Sequence, residues 1–249
     1  SDGQLLFVQH MISKMKPTGS RIGIVLNGSP LFSGDAGSGT SEIRKFIIEN
    51  DLLECIVALP NQLFFNTDIN TYIWILNNKK KTERKGKVQL INASSHFNKM
   101  KKSLGKKRKL VPISNRNSIV EEYLNFEETD ISKIYDNNFF GYTKVTVEQP
   151  LEEDGKIVRS KKGEPKADSK RRDAERIPLT GDIDAYFEKE VAPHLPTAWM
   201  DRSKDKIGYE INFTKYFYKY QALRSLEDIR NDLLTLEKES KSLIQEIVN

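Results

Sequence analysis

The residues with the clearest capacity for binding chemistry lie between two apolar segments, in the sequence ALPNQLFFNTDINTYIWIL at residues 58–76. Pro60 ends the first segment, and the polar loop after it carries Phe64 and Phe65 beside amide groups. Aromatic faces stack on planar rings, and amides can hydrogen-bond to the ring edges. The loop therefore predicts a site for a planar ligand such as a nucleobase.

Positive charge is concentrated directly after this stretch. From Lys79 to Lys109 there are thirteen basic residues and one acid, Glu83, in a chain whose net charge is +5. Such a cluster favours a polyanion through phosphate contacts and counterion release, although a solvated, mobile loop would have the same composition. The candidate DNA-binding residues are Lys79, Lys80, Lys81, Arg84, Lys101, Lys102, Lys106, Lys107 and Arg108.

No complete catalytic or metal-binding set is evident from the spacing of the residues. The glycines at 34, 37 and 39 match neither GxGxxG nor GxxxxGK[ST], and no Ser/His/Asp or Cys/His arrangement is indicated. Three scattered histidines and one cysteine do not make a zinc site. We therefore predict no catalytic residue and no metal.

Length and composition indicate a globular protein with one good core. The chain has 249 residues, 37% of them hydrophobic, and it contains no signal peptide and no apolar run of the roughly 18 residues that a membrane helix requires. Its single cysteine, Cys55, lies within an apolar segment, which fits a reducing compartment. We expect a cytoplasmic protein without a membrane segment.

The helices and strands predicted around the loop indicate an α/β fold. Apolar segments predict strands at 22–26, 55–59, 71–76 and 88–92, with a helix after the first strand whose buried face carries Ile43, Phe46, Ile47 and Asn50. A strand, helix, strand crossover makes the first two strands parallel, and the short return makes the third antiparallel. The expected sheet is parallel with one reversed strand.

Changes in composition divide the remainder of the chain. We expect a first domain at residues 1–150, a charged linker or exposed hairpin at 151–176, and a mainly helical extension at 177–249. A helix capped by Thr180 or Asp182 is expected over residues 183–191.

The last helix has an a/d heptad stripe that only Ser240 interrupts. A helix with this stripe can lie on its own domain or dock with a helix of another subunit. The candidate subunit-contact residues are Leu226, Ile229, Leu233, Leu236, Leu243 and Ile247.

Two segments resemble a known family. Residues 21–80, which include LNGSPLFSGDAGSG and ALPNQLFFNTDINTYIWIL, look like the C-terminal half of the catalytic domain in modification (M) subunits of type I restriction-modification systems. Residues 182–220, DIDAYFEKEVAPHLPTAWMDRSKDKIGYEINFTKYFYKY, resemble the C-terminal region of the same family. These subunits are adenine-N6 DNA methyltransferases.

The resemblance implies a fold and a cofactor. Family members have a seven-stranded Rossmann-like class I methyltransferase sheet in which an antiparallel strand is inserted between two parallel ones. They bind S-adenosylmethionine at a glycine motif after the first strand and the target adenine at NPP[FY], and this sequence contains neither motif. The resemblance thus implies a truncated M subunit that is inactive alone, with S-adenosylmethionine bound only in the full-length parent.

The resemblance also implies a site and partners. Phe64, Phe65, Asn66 and Thr67 lie where the family's late catalytic-domain motif lines the pocket of the flipped target base, although simple core packing would also explain the two rings. The implied partners are DNA, a specificity subunit and a restriction subunit. A non-enzymatic nucleic-acid-binding or subunit-assembly module derived from such a methyltransferase is the alternative.

Overall fold

The computed structural model describes residues 3–220 and 223–248, without the side chains of residue 242 and residues 244–248. The chain divides after Tyr216 into two compact units. The helices are α1 (Gln4–Ile12), α2 (Ser29–Phe32), α3 (Gly39–Glu49), α4 (Ile113–Asn125), α5 (Ile183–Tyr186), α6 (Phe213–Tyr216) and α7 (Leu226–Val248). The strands are β1 (Arg21–Asn27), β2 (Leu53–Ala58), β3 (Thr71–Asn77), β4 (Lys87–Asn92), β5 (Asn98–Leu104), β6 (Lys107–Leu110), β7 (Ser132–Asp136), β8 (Gly141–Glu148), β9 (Glu152–Glu153), β10 (Lys156–Ile157), β11 (Asp173–Pro178) and β12 (Trp199–Tyr209).

The central sheet has five strands in the order β1, β3, β2, β4, β7. Strand β3 is antiparallel to both of its neighbours, so its expected insertion between β1 and β2 is confirmed. Strand β4 pairs parallel to β2. The carboxyl ends of β1, β2 and β4 therefore meet at one edge, called the carboxyl edge below, and the opposite edge is the amino edge.

The expectation of a single reversed strand is wrong, because β7 also runs antiparallel to β4. The chain after α4 returns to the carboxyl edge, where the Ile131 carbonyl accepts a hydrogen bond of 2.7 Å from the Asn92 amide. Strand β7 thus begins beside the end of β4 and must run the other way. The result is a mixed sheet.

The core lies on both faces of this sheet. Cys55, Val57 and Ile91 are buried on one face with Ile119 and Tyr123 of α4 packed against them. Ile56, Trp74 and Leu90, which alternate with that set, are fully buried as well. Burial on both faces explains why β2 and β3 read as nearly continuous apolar runs.

The buried face of α3 differs from the predicted one. Phe46 and Asn50 are exposed, and the buried residues are Ser41, Arg44, Ile47 and Ile48. The guanidinium of Arg44 is buried because it donates hydrogen bonds to the carbonyls of Tyr209, Pro30 and Ser33. The spacing of apolar residues in the sequence cannot predict that a charged residue lies on the buried face of a helix.

A second sheet corrects the expected domain organisation. Strand β8 lies between β11 and β12 in an antiparallel three-stranded sheet, so residues on both sides of the expected boundaries at 150 and 176 belong to one unit. The region from 177 to 216 is therefore not mainly helical. The sequence does not reveal β11 and β12 as strands. Most of their side chains are not buried and many are charged, so apolar and polar residues do not alternate along them.

Two smaller features of this region are a hairpin and a capped helix. Strands β9 and β10 form an exposed hairpin within residues 151–176. The carboxylate of Asp182 caps α5 by accepting a hydrogen bond of 2.9 Å from the Ala185 amide, and a π-helical turn continues the helix to Val191. The second unit contains α7, whose extent matches the heptad stripe.

Candidate nucleic-acid interface

The loop between β2 and β3, residues 59–70, lies at the carboxyl edge and presents its aromatic rings to solvent. Phe64 is 37% exposed and Phe65 is 62% exposed. Asn66 is exposed, and the Thr67 hydroxyl accepts a hydrogen bond from the Ile69 amide at 3.3 Å. Gln62 adopts a left-handed backbone conformation with a φ of 59°, which is uncommon for a residue with a Cβ. Such exposure favours a surface role for the rings over core packing.

The β5–β6 hairpin holds this loop through backbone hydrogen bonds. The Lys106 amide donates to the Phe65 carbonyl at 2.9 Å, and the amides of Arg108 and Lys109 donate to the Gln62 carbonyl at 3.0 and 3.3 Å. The Lys107 ammonium lies 5.2 Å from the centroid of the Phe65 ring, within the range of a cation–π contact. The structure thus brings the aromatic loop and the second half of the basic run together.

Close approach of the hairpin to the loop depends on Gly105. This residue has a φ of +60°, and a Cβ built on it would lie 2.6 Å from the Phe65 carbonyl oxygen. Any other residue would be strained by the backbone conformation and would also collide with the loop. Gly105 was missed by the sequence analysis, because nothing in the sequence indicates that the hairpin turn meets a distant carbonyl.

The basic run is divided between the two edges of the sheet, which corrects its expected placement as one patch. Residues 78–86 connect the end of β3 to the start of β4 and therefore lie at the amino edge. The β5–β6 hairpin follows the end of β4 and lies at the carboxyl edge. The six-residue strand β4 lies between residues 78–86 and the hairpin, so the two groups of basic residues are on the order of 20 Å apart. Lys79 and Lys81 are consequently exposed on the side away from Phe65.

Two of the candidate DNA-binding residues are buried. The Lys80 ammonium lies 2.6 Å from a carboxylate oxygen of Asp51, and burial lowers the pKa of Lys80 although Asp51 opposes the shift. Arg84 lies 3.8 Å from a Glu54 carboxylate oxygen and donates to the Gln89 side chain at 3.1 Å. Their charges are neutralised inside the protein, which argues against their predicted role as DNA contacts.

A cleft at the carboxyl edge, of about 340 Å³, allows a test of whether S-adenosylmethionine fits. The cofactor carries sulfonium and ammonium cations and ribose hydroxyls, which require carboxylate or carbonyl acceptors, and one carboxylate, which requires donors. Among the described residues, the side chains lining the cleft include no carboxylate: they are those of Leu31, Phe32, Tyr72, Ile211, Asn212, Phe213, Thr214 and Lys215. The ammonium of Lys215 could pair with the cofactor's carboxylate, but it would repel the sulfonium. This cleft does not fit S-adenosylmethionine.

The apolar stripe of α7 is exposed along its described length. Leu226, Ile229, Leu233, Leu236 and Leu243 all present large apolar side chains to solvent. The side chain of Ile247, the last candidate of the stripe, lies outside the described residues. A helix of 23 residues with an apolar stripe can dock with another helix or lie on its own domain.

Comparison with known protein families shows which family this sheet and loop belong to. Residues 1–154 match the family model described as N-6 DNA Methylase. The chain belongs to the N-6 DNA methylase family. The match covers the whole central sheet, the aromatic loop and the β5–β6 hairpin of this methylase chain.

The chain is also similar to individual proteins. The type I restriction enzyme HindI methylase subunit of Haemophilus influenzae is 47% identical over 35% of this chain and 18% of its own length. The MjaVII methylase subunit of Methanocaldococcus jannaschii is 39% identical over 47% of this chain and 19% of its own. A solved type I restriction-modification methyltransferase subunit from Streptococcus thermophilus is 26% identical over 56% of this chain and 28% of its own, with a TM-score of 0.49. The chain thus spans well under a third of each of these proteins.

No described helix is long and apolar enough to cross a membrane. Across the same part of the chain, no three His, Cys, Asp or Glu side chains are grouped as ligands for a metal ion.

Proposed function

We propose that this chain is part of the modification subunit of a type I restriction-modification system, and that the whole subunit transfers a methyl group from S-adenosylmethionine to N6 of adenine in DNA. The observation that carries the proposal is the loop that exposes Phe64 and Phe65 at the carboxyl edge of the sheet. Backbone hydrogen bonds join this loop to the basic β5–β6 hairpin, and both lie within the residues that match the family. In this proposal the sheet is the closing half of a Rossmann-like domain. The chain alone is inactive, because the cofactor and NPP[FY] motifs belong to the rest of the subunit.

In the proposed reaction, this chain contributes the binding of the flipped base. The amino group of adenine is conjugated with the ring and is a poor nucleophile, so it must be held in position while the transfer occurs. A base extruded from the duplex is commonly stacked between aromatic or apolar side chains. Phe64 or Phe65 would supply one face of that stack, and Asn66 and Thr67 would line the edge of the pocket.

The base-stacking role predicts a specific effect of Phe65→Ala in the whole modification subunit. Base–aromatic stacking contributes about 1–3 kcal/mol per base, so kcat/KM for methylation should fall by roughly 5-fold to 150-fold. Because Phe65 is 62% exposed, the free energy of unfolding should change by less than about 1 kcal/mol. Methyl transfer from labelled cofactor and urea unfolding measure the two effects.

Phe46→Ala is the matched control for this variant. Phe46 is an exposed phenylalanine on α3, outside the loop, and its loss should leave methylation unchanged. Equal losses of activity and stability in Phe65→Ala would instead favour the core-packing interpretation.

An assembly role is favoured by a separate observation, the exposed stripe of α7. We propose that this stripe packs against a helix of the specificity subunit, in a complex that also contains DNA and a restriction subunit in the cytoplasm. A paired substitution, Leu233→Glu with Leu236→Glu, would bury two uncompensated carboxylates in that interface. Co-purification with the specificity subunit should then be lost.

The control places the same two charges elsewhere on α7. Asn231→Glu with Thr235→Glu alters exposed residues outside the stripe and should leave co-purification intact. Circular dichroism verifies that both double variants keep their helix. Retention of the specificity subunit by the Leu233 and Leu236 variant would refute the proposed interface.

A further inference from the structure

The β5–β6 hairpin contains a cleft of its own beside the aromatic loop. Lys99 pairs with Lys109 in the ladder, and regular pairing is found again only between Leu104 and Lys107. Between these points β5 has four residues and β6 has one, so the ladder is irregular there, and a cleft of about 570 Å³ lies beside it. Its lining residues are Gln62, Lys99, Met100, Ser103, Arg108 and Lys109.

The charges around this cleft are unusual for a hairpin. Three cations line it, and two of them, Lys99 and Lys109, lie directly opposite each other in the ladder. Like charges in that position destabilise a pair of strands. In the described part of the chain, the hairpin has one ion pair, between Lys106 and Asp68 at 3.5 Å. Neither of these two residues lines the cleft. An anion in the cleft would remove the repulsion.

Lys109 is fixed in place by neutral groups. Its ammonium donates a hydrogen bond to the side-chain oxygen of Asn61 and lies 3.9 Å from the centroid of the Phe97 ring. Neither contact cancels the charge, so the ammonium keeps its full attraction for an anion while losing little entropy on binding. The hydroxyl of Ser103 and the amide of Gln62 add neutral hydrogen-bond donors to the lining.

We infer that this cleft binds a backbone phosphodiester of the nucleic-acid strand whose base lies against Phe65. The ligand is a phosphodiester within a strand, since the cleft is larger than a phosphate group and has room for the adjoining sugar. Strand β6 connects the two sites: Arg108 and Lys109 line the cleft, and the preceding Lys106 donates to the Phe65 carbonyl. The inference rests on the proposed function for the identity of the polymer.

A binding experiment without bases isolates the phosphate site. The probe is a short fluorescent single-stranded oligonucleotide whose nucleotides are all abasic, titrated with this 249-residue chain at several sodium chloride concentrations. We expect Lys99→Gln with Lys109→Gln to weaken binding about tenfold and to reduce the slope of log K against log salt by about 0.7 for each lost contact. The control, Lys161→Gln with Lys162→Gln, removes two exposed charges from another loop and should bind as the parent chain does.

Inorganic phosphate and an uncharged methylphosphonate strand complete the test. We expect phosphate at matched ionic strength to compete only weakly with the abasic strand, and the methylphosphonate strand not to bind. Unchanged binding of the abasic strand by the Lys99 and Lys109 variant would overturn the inference. Strong competition by phosphate alone would overturn it as well, in favour of a free-anion site. The base-stacking proposal is judged separately by methylation with Phe65→Ala, which an abasic strand does not probe.

Discussion

Substituting Arg84 by methionine is expected to lower the free energy of unfolding of this chain by about 3–5 kcal/mol, the usual effect of removing one partner of a buried ion pair. The Arg84 guanidinium lies between the rings of Tyr123 and Phe126, at 4.5 and 4.2 Å from their centroids. It also donates a hydrogen bond to the Tyr123 carbonyl. Methionine would leave the buried carboxylate of Glu54 with only Arg21, a more exposed cation whose nitrogen lies 3.6 Å away.

Urea unfolding monitored by tryptophan fluorescence measures this loss. Lys85→Met, which removes a neighbouring exposed charge, should change stability by less than about 0.5 kcal/mol. Under conditions where Arg84→Met is folded, the salt dependence of DNA binding should equal that of the parent chain. A stable Arg84→Met variant with weakened DNA binding would restore the surface role that the sequence indicated.

Substituting Arg44 by methionine is expected to cost at least about 3 kcal/mol of unfolding free energy, because buried carbonyls lose charged donors. Arg44 donates at 3.0 Å to the carbonyls of both Pro30 and Ser33, and it also donates to the Tyr209 carbonyl at the end of β12. Burial lowers the pKa of the guanidinium, with Glu210 opposing the shift. These bonds join α3 to the second sheet.

Differential scanning calorimetry and amide hydrogen exchange together test this role. In Arg44→Met, exchange should accelerate at the Ile211 amide, which donates to the Leu31 carbonyl at 2.9 Å beside the lost contacts. Lys45→Met, the next residue on the same helix, should leave both measurements near their parent values. An unchanged melting temperature for Arg44→Met would show that the guanidinium is dispensable for joining the two sheets.

The elements of the central sheet could be predicted from the sequence because their strands are buried on both faces. Segments such as 55–59 and 71–76 are apolar without interruption, and the insertion of β3 between β1 and β2 follows from short connections and from the family resemblance. The second sheet could not be predicted in the same way. Strands β11 and β12 expose most of their charged side chains, so hydropathy reads them as linker or extension.

The candidate site was predictable only in part. Phe64 and Phe65 were identified because aromatic residues in a polar loop are conspicuous, and their exposure agrees with a binding role. The basic run was counted correctly but misplaced, because its first half and its second half follow strands of opposite direction. The sequence does not distinguish Lys80 and Arg84 from exposed basic residues, since their burial depends on Asp51, just before β2, and on Glu54, within β2.

By itself, the sequence determined the apolar strands β1 to β4, the aromatic loop after β2 and the heptad stripe of α7, since each is encoded by a local pattern of residue types. Only the tertiary structure decided which charges remain available. In the folded chain, Lys80 and Arg84 are buried and their charges are neutralised. Lys99 lies opposite Lys109 in the β5–β6 ladder, beside the loop that carries Phe65. The physical reason is that a charge acts on its neighbours in space, and strand pairing and burial select those neighbours.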